Sequence, residues 1–320
     1  MISLALFNEE ELKKLSLKVP TSERPLWLYY AEFVEKHNRT GKSEVTIKGV
    51  KDGLRFAARR LGILTIEQLN NPRLVEDALF KYKETEHIKN STYNSYRKTF
   101  NTFCIWLEKM EYISENRIKK VAKCKQEQNE QLTLNEDQVR KVITQIHDRR
   151  QSRLERLRNT FFIDLTRYTG ARPCELLDLN IKNIRLQNGS YTIVIQGKKQ
   201  KGRNRYYKFP SFLRDSYEAY MAYREKIRPN EEKLFVSCSK KTGWTHDGMK
   251  RMFAKLSREL GFTVNAYSFR RYVATRLYNE GAPIEKIANY LGHTRITTTQ
   301  RYIERSCALT KDCGEVMGKE

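Results

Sequence analysis

Residues 267–304 read YSFRRYVATRLYNEGAPIEKIANYLGHTRITTTQRYIE, and this stretch decides the fold of the second half of the chain. The spacing of its apolar residues predicts three successive helices, at about 268–280, 284–291 and 297–305. Gly281 and Gly292 follow the first two helices, at the position where glycine commonly ends a helix. His293 then lies just past the second helix, and Tyr302 lies on the third.

The first of these helices offers two polar side chains on one face. Tyr267 and Arg270 are three positions apart, which places them on the same side of a helix. Phe269, Val273 and Leu277 form a different, apolar face. We therefore expect Arg270 to point away from the core.

A second arginine stands at a predicted helix start. In Gly170-Ala171-Arg172-Pro173, the glycine breaks the preceding helix and the proline begins the next one. A guanidinium beside the exposed N–H groups of a helix start favours a bound phosphate. Taken alone, Arg172 has a plainer interpretation as a solvated surface side chain.

Between these two regions the pattern predicts a small antiparallel sheet. Asn188-Gly189, between β-rich segments, is a strong signal for a hairpin turn. A second hairpin has the basic tip GKKQKGR at residues 197–203. Such a tip can enter a DNA groove and deliver a proton, or it can simply be a soluble loop. Its lysines are Lys198, Lys199 and Lys201.

The bulk composition points to a polyanionic partner. The 320 residues include 61 Lys and Arg against 38 Asp and Glu, which gives a formal net charge of +23. Such an excess is typical of proteins that bind nucleic acid, because each neutralised phosphate releases counterions. A ribosome-associated or merely basic protein is the plainer alternative.

We expect a cytoplasmic protein without a metal or cofactor. The six cysteines form no Cys-x-x-Cys pair and are interpreted as reduced thiols. The sequence has no apolar run of about 18 residues that would predict a membrane span. The N-terminus MISLALFNEEELKK lacks the basic region and the long apolar region of a signal peptide.

Composition also divides the chain into parts. Residues 1–115 have helical patterns, 116–131 are polar and charged, and 132–320 combine helices with the predicted sheet. We predict an N-terminal helical domain, a linker, and a mainly helical C-terminal domain with one small antiparallel sheet. An exposed helix end is the plainer interpretation of the linker. Thr133 and Glu136 have the spacing of a capping box and predict the first helix after it.

Together these motifs resemble those of the tyrosine recombinases, also called phage-type integrases, which include the Xer group. TGARPCELLDLN at 169–180 resembles the first box of that family, and residues 267–304 resemble the second box over their whole length. The separation between His293 and Tyr302 is that of the family. Residues 91–113 resemble the last helix of the family's core-binding domain, so the resemblance runs from about residue 24 to about residue 305.

The resemblance implies a role for each residue of these boxes. Tyr302 would attack a phosphate of duplex DNA and form a 3′-phosphotyrosyl link, freeing a 5′-hydroxyl. Arg172 and Arg270 would bind the non-bridging phosphate oxygens, and His293 would donate a further hydrogen bond. The phosphotyrosyl link conserves the bond energy, so neither ATP nor a metal is implied.

Two members of the catalytic set are ambiguous. The family's proton-donating lysine matches Lys201, which we prefer, or Lys198, and Lys199 also stays open. Where the family has a histidine, this chain has Tyr267. With an unperturbed pKa of about 10, tyrosine is a poorer general base than histidine at neutral pH.

The resemblance also implies a fold, an assembly and a location. It implies a SAM-like helical core-binding domain, an α+β catalytic domain, and a homotetramer on two DNA sites in the cytoplasm. The segment after Tyr302 would dock into a neighbouring subunit through Ala308, Leu309, Val316 and Met317. Two other functions stay open: a type IB-like topoisomerase, and a non-catalytic DNA-binding protein derived from a recombinase.

Overall fold

The computed structural model describes residues 5–41, 44–125, 133–197, 204–239 and 242–303. The chain divides into two units, Met1–Asn129 and Glu130–Glu320, each with its own hydrophobic core. The predicted fold class is confirmed, because both units are mainly helical and the second contains a small antiparallel sheet. Within the described ranges, no helix is long and apolar enough to cross a membrane.

The first unit is built from helices around an aromatic core. On α6, Phe103 and Trp106 each meet the ring of Phe33 on α2 edge-on, with ring centroids 5.4 Å apart in both pairs. Edge-to-face contacts of this kind add to the free energy gained by burying the rings. The elements are α1 (Glu9–Ser16), α2 (Tyr30–Arg39), α3 (Glu44–Arg60), α4 (Ile66–Leu69), α5 (Pro72–Thr85), α6 (Asn90–Lys109) and a 3-10 helix (Arg117–Lys120).

Part of the predicted linker packs into this first core. Ile118 and Val121 are buried there, and Arg97 donates to the carbonyl oxygen of Val121 at 2.5 Å. Two apolar residues separated by lysines are too weak a pattern to distinguish a 3-10 turn from a loop. Residues 126–131 of the predicted linker lie outside the described residues, and the domain limits stay a prediction.

The second unit combines helices with a sheet whose strand order is β1-β2-β3. Its described elements are α7 (Glu136–Asp148), α8 (Arg153–Thr169), α9 (Pro173–Leu177), a 3-10 helix (Ile181–Asn183), β1 (Ile184–Gln187), β2 (Ser190–Gln196), β3 (Asn204–Lys208), α10 (Ser211–Ile227), α11 (His246–Leu260), α12 (Ala266–Asn279), α13 (Ile284–Leu291) and α14 (Ile296–Ile303).

The sheet pairs the flanking strands of both predicted hairpins. Asn188 and Gly189 join β1 to β2 with φ angles of 47° and 70°, the left-handed conformation that a two-residue hairpin turn requires. Ile195 of β2 pairs with Arg205 of β3. Because side chains alternate along a strand, Arg205 and Tyr207 face the same way, and both are buried. An arginine at the start of β3 is thereby directed into the interior.

The capping box of α7 differs from the predicted one. Asn135 is the N-cap residue: its Oδ1 accepts from the N–H of Gln138 at 2.8 Å, and Gln138 Oε1 accepts from the N–H of Asn135 at 3.0 Å. Glu136 instead accepts a hydrogen bond from the hydroxyl of Tyr272 at 2.8 Å. The prediction that Thr133 and Glu136 form the box was wrong, because the helix begins two residues later, where Asn135 and Gln138 accept from each other's backbone N–H groups.

Helices α3 and α6 approach closely at Gly53, where a Cβ atom would lie 2.2 Å from Cγ2 of Thr99. We predict that Gly53→Ala lowers the free energy of unfolding by about 2 kcal/mol, as overpacking does elsewhere. Chemical denaturation of the full chain measures this change. Adding Thr99→Ser removes the clashing methyl group and is expected to restore most of the loss.

Gly49→Ala is the matched control on the same helix, because a Cβ atom there meets nothing within 4 Å. It is expected to raise the free energy of unfolding by about 1 kcal/mol, since alanine favours a helix over glycine. Equal effects of the two alanines, or no restoration by Thr99→Ser, would contradict the steric explanation.

Candidate active site

Gly170 turns the chain sharply at the end of α8. Its φ of 57° is left-handed, and a Cβ atom there would lie 2.5 Å from Cδ2 of Leu291 on α13. Pro173 begins α9 shortly afterwards. The missing side chain of Gly170 therefore allows the turn that carries Arg172 to lie against the end of α13.

Arg172 reaches to the turn that follows α13. Its Nη1 and Nη2 each donate to the carbonyl oxygen of Gly292 at 3.1 Å, and Nη1 also donates to Oε1 of Glu175 at 3.0 Å. The side chain keeps 19% of its surface exposed. The guanidinium is thus anchored on one side while part of it stays accessible.

Arg270 is buried, so the expectation that it points away from the core was wrong. It is 1% exposed, and it donates from Nη1 to Gly170 O and from Nη2 to Leu291 O, both at 2.7 Å. Its Nε donates to Nε2 of His293 at 3.2 Å. Burial, together with the positive charge of Arg172, lowers the pKa of Arg270 to about 10. The pattern of α12 alone could not show that distant carbonyl groups cover this face.

His293 stands just past α13, between Arg270 and α14. Since Nε2 accepts from Arg270, the proton is on Nδ1, which donates to Oγ1 of Thr299 at 2.7 Å. Burial and the positive charges of Arg270 and Arg172 lower the pKa of His293 to about 3. The imidazole is therefore neutral at neutral pH.

Tyr302 on α14 lies beside His293. Their rings meet edge-on, with centroids 5.4 Å apart and an interplanar angle of 67°. Tyr302 packs on the core of the second unit with part of its surface exposed. The structure thus brings together Arg172, Arg270, His293 and Tyr302, as the sequence predicts.

Tyr267 lies in the first turn of α12 and is 49% exposed. Burial raises its pKa, and the neighbouring Cys174 and Tyr302 raise it further, whereas Arg172 lowers it. A raised pKa leaves a smaller fraction of the hydroxyl deprotonated, and so ready to accept a proton, at neutral pH. Tyr267 is close to the other site residues, and its role in proton transfer stays a prediction.

The candidate proton donors Lys198, Lys199 and Lys201 lie outside the described residues. The strands that flank them are described, and the last pair between those strands joins Gln196 to Asn204. The choice between Lys201 and Lys198 stays a prediction.

Two further residues belong to the site, and the sequence analysis missed both. Glu175 is 3% exposed, and its Oε2 accepts from the backbone N–H of Arg172 at 3.0 Å and from Nη2 of Arg205. Arg205 is 8% exposed and donates from Nη1 to Leu291 O at 2.8 Å. The i, i+3 spacing of Arg172 and Glu175 is a signal for the first contact. No local pattern marks the contact of Arg205, because it joins distant parts of the chain.

This arrangement is suited to binding an oxyanion. Arg172 and Arg205 share the single carboxylate of Glu175, and Arg270 adds a third guanidinium beside them. Guanidinium groups match the oxygens of a phosphate in charge and geometry. The site can therefore hold a phosphate next to the hydroxyl of Tyr302. Across the described parts of the chain, no group of three or more His, Cys, Asp or Glu could hold a metal ion.

Family membership follows from the sequence of this second unit. Residues 132–307, more than half of the chain, match the Phage integrase family. The chain belongs to this family, which confirms the resemblance of its motifs. Arg172, Arg270, His293 and Tyr302 all lie within the matched range.

The chain is similar to Xer recombinases in sequence and in fold. The tyrosine recombinase XerC of Lactobacillus delbrueckii subsp. bulgaricus is 30% identical over 172 residues, which cover 52% of this chain and 56% of that protein. The tyrosine recombinase XerH of Helicobacter pylori is 30% identical over 179 residues, which cover 53% of this chain and 47% of that protein. The chain thus spans about half the length of these curated relatives.

A solved structure extends the likeness in fold over nearly the whole chain. It is the XerH site-specific recombinase bound to palindromic difH substrate in a post-cleavage complex, with a TM-score of 0.69. The match covers 97% of this chain and 94% of that chain at 18% sequence identity. The fold is therefore shared.

We predict that His293 stays neutral and protonated on Nδ1 in the free protein. Nitrogen-15 spectra of the imidazole are expected to show no titration between about pH 8 and pH 5, because burial and the arginines hold its pKa at about 3. The unfolded chain takes up this proton below about pH 6.5, so falling pH destabilises the fold between that pH and the folded pKa.

The His293→Gln variant lacks this imidazole, so the nitrogen-15 signals that are missing from its spectrum belong to His293. A titration midpoint at the ordinary histidine value of about 6.5 would contradict the buried arrangement.

Proposed function

We propose that the chain is a site-specific DNA recombinase that cleaves and rejoins duplex DNA through a 3′-phosphotyrosyl intermediate. The observation that carries the proposal is the meeting of Tyr302 and His293 with the guanidinium groups of Arg172 and Arg270. A protein that only binds DNA needs positive charge, but it does not need a tyrosine hydroxyl beside a phosphate site. Membership of the Phage integrase family supports the same function.

The reaction proceeds in two matched steps. The hydroxyl oxygen of Tyr302 attacks the phosphorus atom of a phosphodiester, and the bond from phosphorus to the 5′ oxygen breaks. Tyr302 gives its proton to a base, for which Tyr267 is the candidate, and the leaving 5′ oxygen takes a proton from a hairpin lysine, Lys201 or Lys198. The 5′-hydroxyl of a second DNA strand then reverses the step and joins new partners. One phosphate ester replaces another at each step, so the reaction uses neither ATP nor a metal.

The two arginines stabilise the negative charge that develops on the phosphate oxygens. A guanidinium has five N–H groups. The bonds from Arg270 to Gly170, Leu291 and His293 use three of them. Counted over the part of the chain that the structure describes, two N–H groups of Arg270 remain for a phosphate. The bonds that hold the guanidinium in place therefore also orient it before DNA arrives.

His293 must change its hydrogen bonding when DNA binds. In the free protein Nε2 accepts from Arg270, so it has no proton to offer a phosphate oxygen. A phosphate between the two side chains brings negative charge, which favours the protonated imidazole and raises its pKa. His293 then donates from Nε2 to the phosphate, and Arg270 Nε is released to do the same.

The proposed partners are duplex DNA and further copies of the chain. The net charge of +23 provides the attraction to DNA. Strand exchange between two DNA sites needs a cleaving subunit at each exchanged strand, which a homotetramer supplies. In the cell, such a protein is expected in the cytoplasm, associated with the nucleoid. The tail segment with Ala308, Leu309, Val316 and Met317, proposed to dock into a neighbour, lies outside the described residues.

We predict that the wild-type chain forms a covalent adduct with a nicked suicide substrate that contains its site, and that Tyr302→Phe forms none. The nick lets the cleaved fragment diffuse away, so the adduct accumulates and is measured by denaturing gel electrophoresis. Tyr206→Phe, an exposed tyrosine on β3, is the control and is expected to retain the full adduct yield. An equal yield with Tyr302→Phe would show that Tyr302 is not the nucleophile.

The same experiment separates the competing functions. A non-catalytic DNA-binding protein forms no adduct with any variant. A type IB-like topoisomerase forms the adduct and relaxes supercoiled DNA, but it does not exchange strands between two duplexes. Products joined from two differently labelled duplexes therefore distinguish the recombinase.

We predict that Lys201→Ala blocks cleavage of ordinary DNA and is rescued by a 5′-thiolate leaving group. A thiolate leaves without being protonated, so it bypasses the general acid. Lys198→Ala is the comparison variant, and its cleavage defect is expected to persist on the thiolate substrate. Rescue of Lys198→Ala in place of Lys201→Ala would assign the general acid to Lys198.

A further inference from the structure

Arg205 is a buried cation whose role the reaction described above does not explain. It is the first residue of β3 whose side chain faces the interior, and it is 8% exposed. Its Nη2 donates to Oε2 of Glu175, and its Nη1 donates to Leu291 O at 2.8 Å. It therefore links the hairpin strand to the segments that carry Arg172 and His293.

Glu175 divides its carboxylate between two arginines. Oε1 accepts from Nη1 of Arg172 at 3.0 Å, and Oε2 accepts from Arg205 and from the backbone N–H of Arg172. Burial tends to raise the pKa of Glu175, but the charge of Arg205 and the contacts of Arg172 outweigh it, and the pKa lies below its ordinary value. The carboxylate is thus ionised and fully partnered.

The second contact of Arg205 fixes the turn before His293. Leu291 O accepts from both Arg205 and Arg270, at 2.8 and 2.7 Å. A Cβ atom on Gly292 would lie 2.9 Å from Nε of Arg205, so the turn and the guanidinium are in close contact. The position of His293 relative to Arg270 therefore depends on Arg205.

We propose that Arg205 is a positioning residue: it neutralises Glu175 so that Arg172 stays available to the scissile phosphate, and it holds the turn that carries His293. This proposal rests on the recombinase function proposed above. Among the residues that the structure describes, Arg172 is the cation that remains in contact with Glu175 when Arg205 is removed. A buried carboxylate with a single counter-charge holds that charge more tightly, and it then competes with the phosphate for Arg172.

Arg205→Met tests the proposal, because methionine fills a similar space without charge. The first-order rate of adduct formation, measured on the suicide substrate at saturating protein, is expected to fall about tenfold, as when a charge-assisted hydrogen bond in a buried network is lost. The dissociation constant for DNA is expected to stay unchanged, since Arg205 is buried. Arg185→Met, an exposed arginine on β1 of the same sheet, is the matched control and is expected to cleave at the wild-type rate.

The decisive variant combines Arg205→Met with Glu175→Gln. Removing the carboxylate charge removes the competitor for Arg172, so the double variant is expected to cleave faster than Arg205→Met alone. A merely structural role of Arg205 predicts the opposite, because the second substitution disturbs the buried network further. A double variant as slow as Arg205→Met, or slower, would overturn the proposal.

Arg205→Lys tests the charge separately from the geometry. Lysine neutralises Glu175 but offers a single ammonium group, so the rate is expected to stay within about threefold of the wild type. This variant also decides the question if Arg205→Met fails to show a cooperative thermal transition. A folded Arg205→Lys protein that loses about tenfold or more in rate would contradict the role of the charge.

The outcome is separable from that of the proposed function. Absence of an adduct with the wild-type chain refutes the recombinase activity itself. A wild-type adduct together with an unchanged rate in Arg205→Met refutes the positioning role alone.

Discussion

Three arginine side chains converge on two successive carbonyl oxygens at the end of α13, and the candidate active site depends on this convergence. Leu291 O accepts from Arg205 and Arg270, and Gly292 O accepts from Arg172. Carbonyl groups at a helix C-terminus lack partners within the helix and carry the negative end of its dipole, so they attract cations. One helix end thereby aligns guanidinium groups from three different elements around a common point.

The three arginines bring more positive charge to the site than the carboxylate of Glu175 neutralises. Within the described ranges, Glu175 is the carboxylate in hydrogen-bond contact with these arginines, and it is shared by Arg172 and Arg205. Burial and neighbouring positive charge lower the pKa values of Arg270 and His293 to about 10 and about 3, respectively. Both pKa shifts have the same cause: each group is partly desolvated and lies close to further positive charge. A phosphate would reduce this imbalance, which supports the proposed binding of a DNA phosphate at this site.

Much of the fold and part of the site could be predicted from local patterns. Gly281 and Gly292 end their helices with φ angles of 81° and 69°, as the sequence predicts, because glycine adopts this conformation without strain. The hairpin at Asn188-Gly189 follows from the same preference. The capping residue of α7 was mispredicted, since Asn135 and Thr133 offer similar oxygens and only the packed helix distinguishes them. Local sequence alone does not decide which of two nearby polar residues caps a helix.

The sequence by itself determined the family and most of the helices and hairpins, because spacing and local propensity are properties of adjacent residues. It also predicted Arg172, Arg270, His293 and Tyr302 as candidate site residues. Only the tertiary structure decided that Arg270 is buried and that Glu175 and Arg205 complete the cluster. Arg205 and Arg270 meet at the backbone carbonyl oxygen of Leu291, and carbonyl groups are carried by every residue and marked by no sequence pattern. Which carbonyl an arginine meets depends on how α8, α12, α13 and β3 pack together.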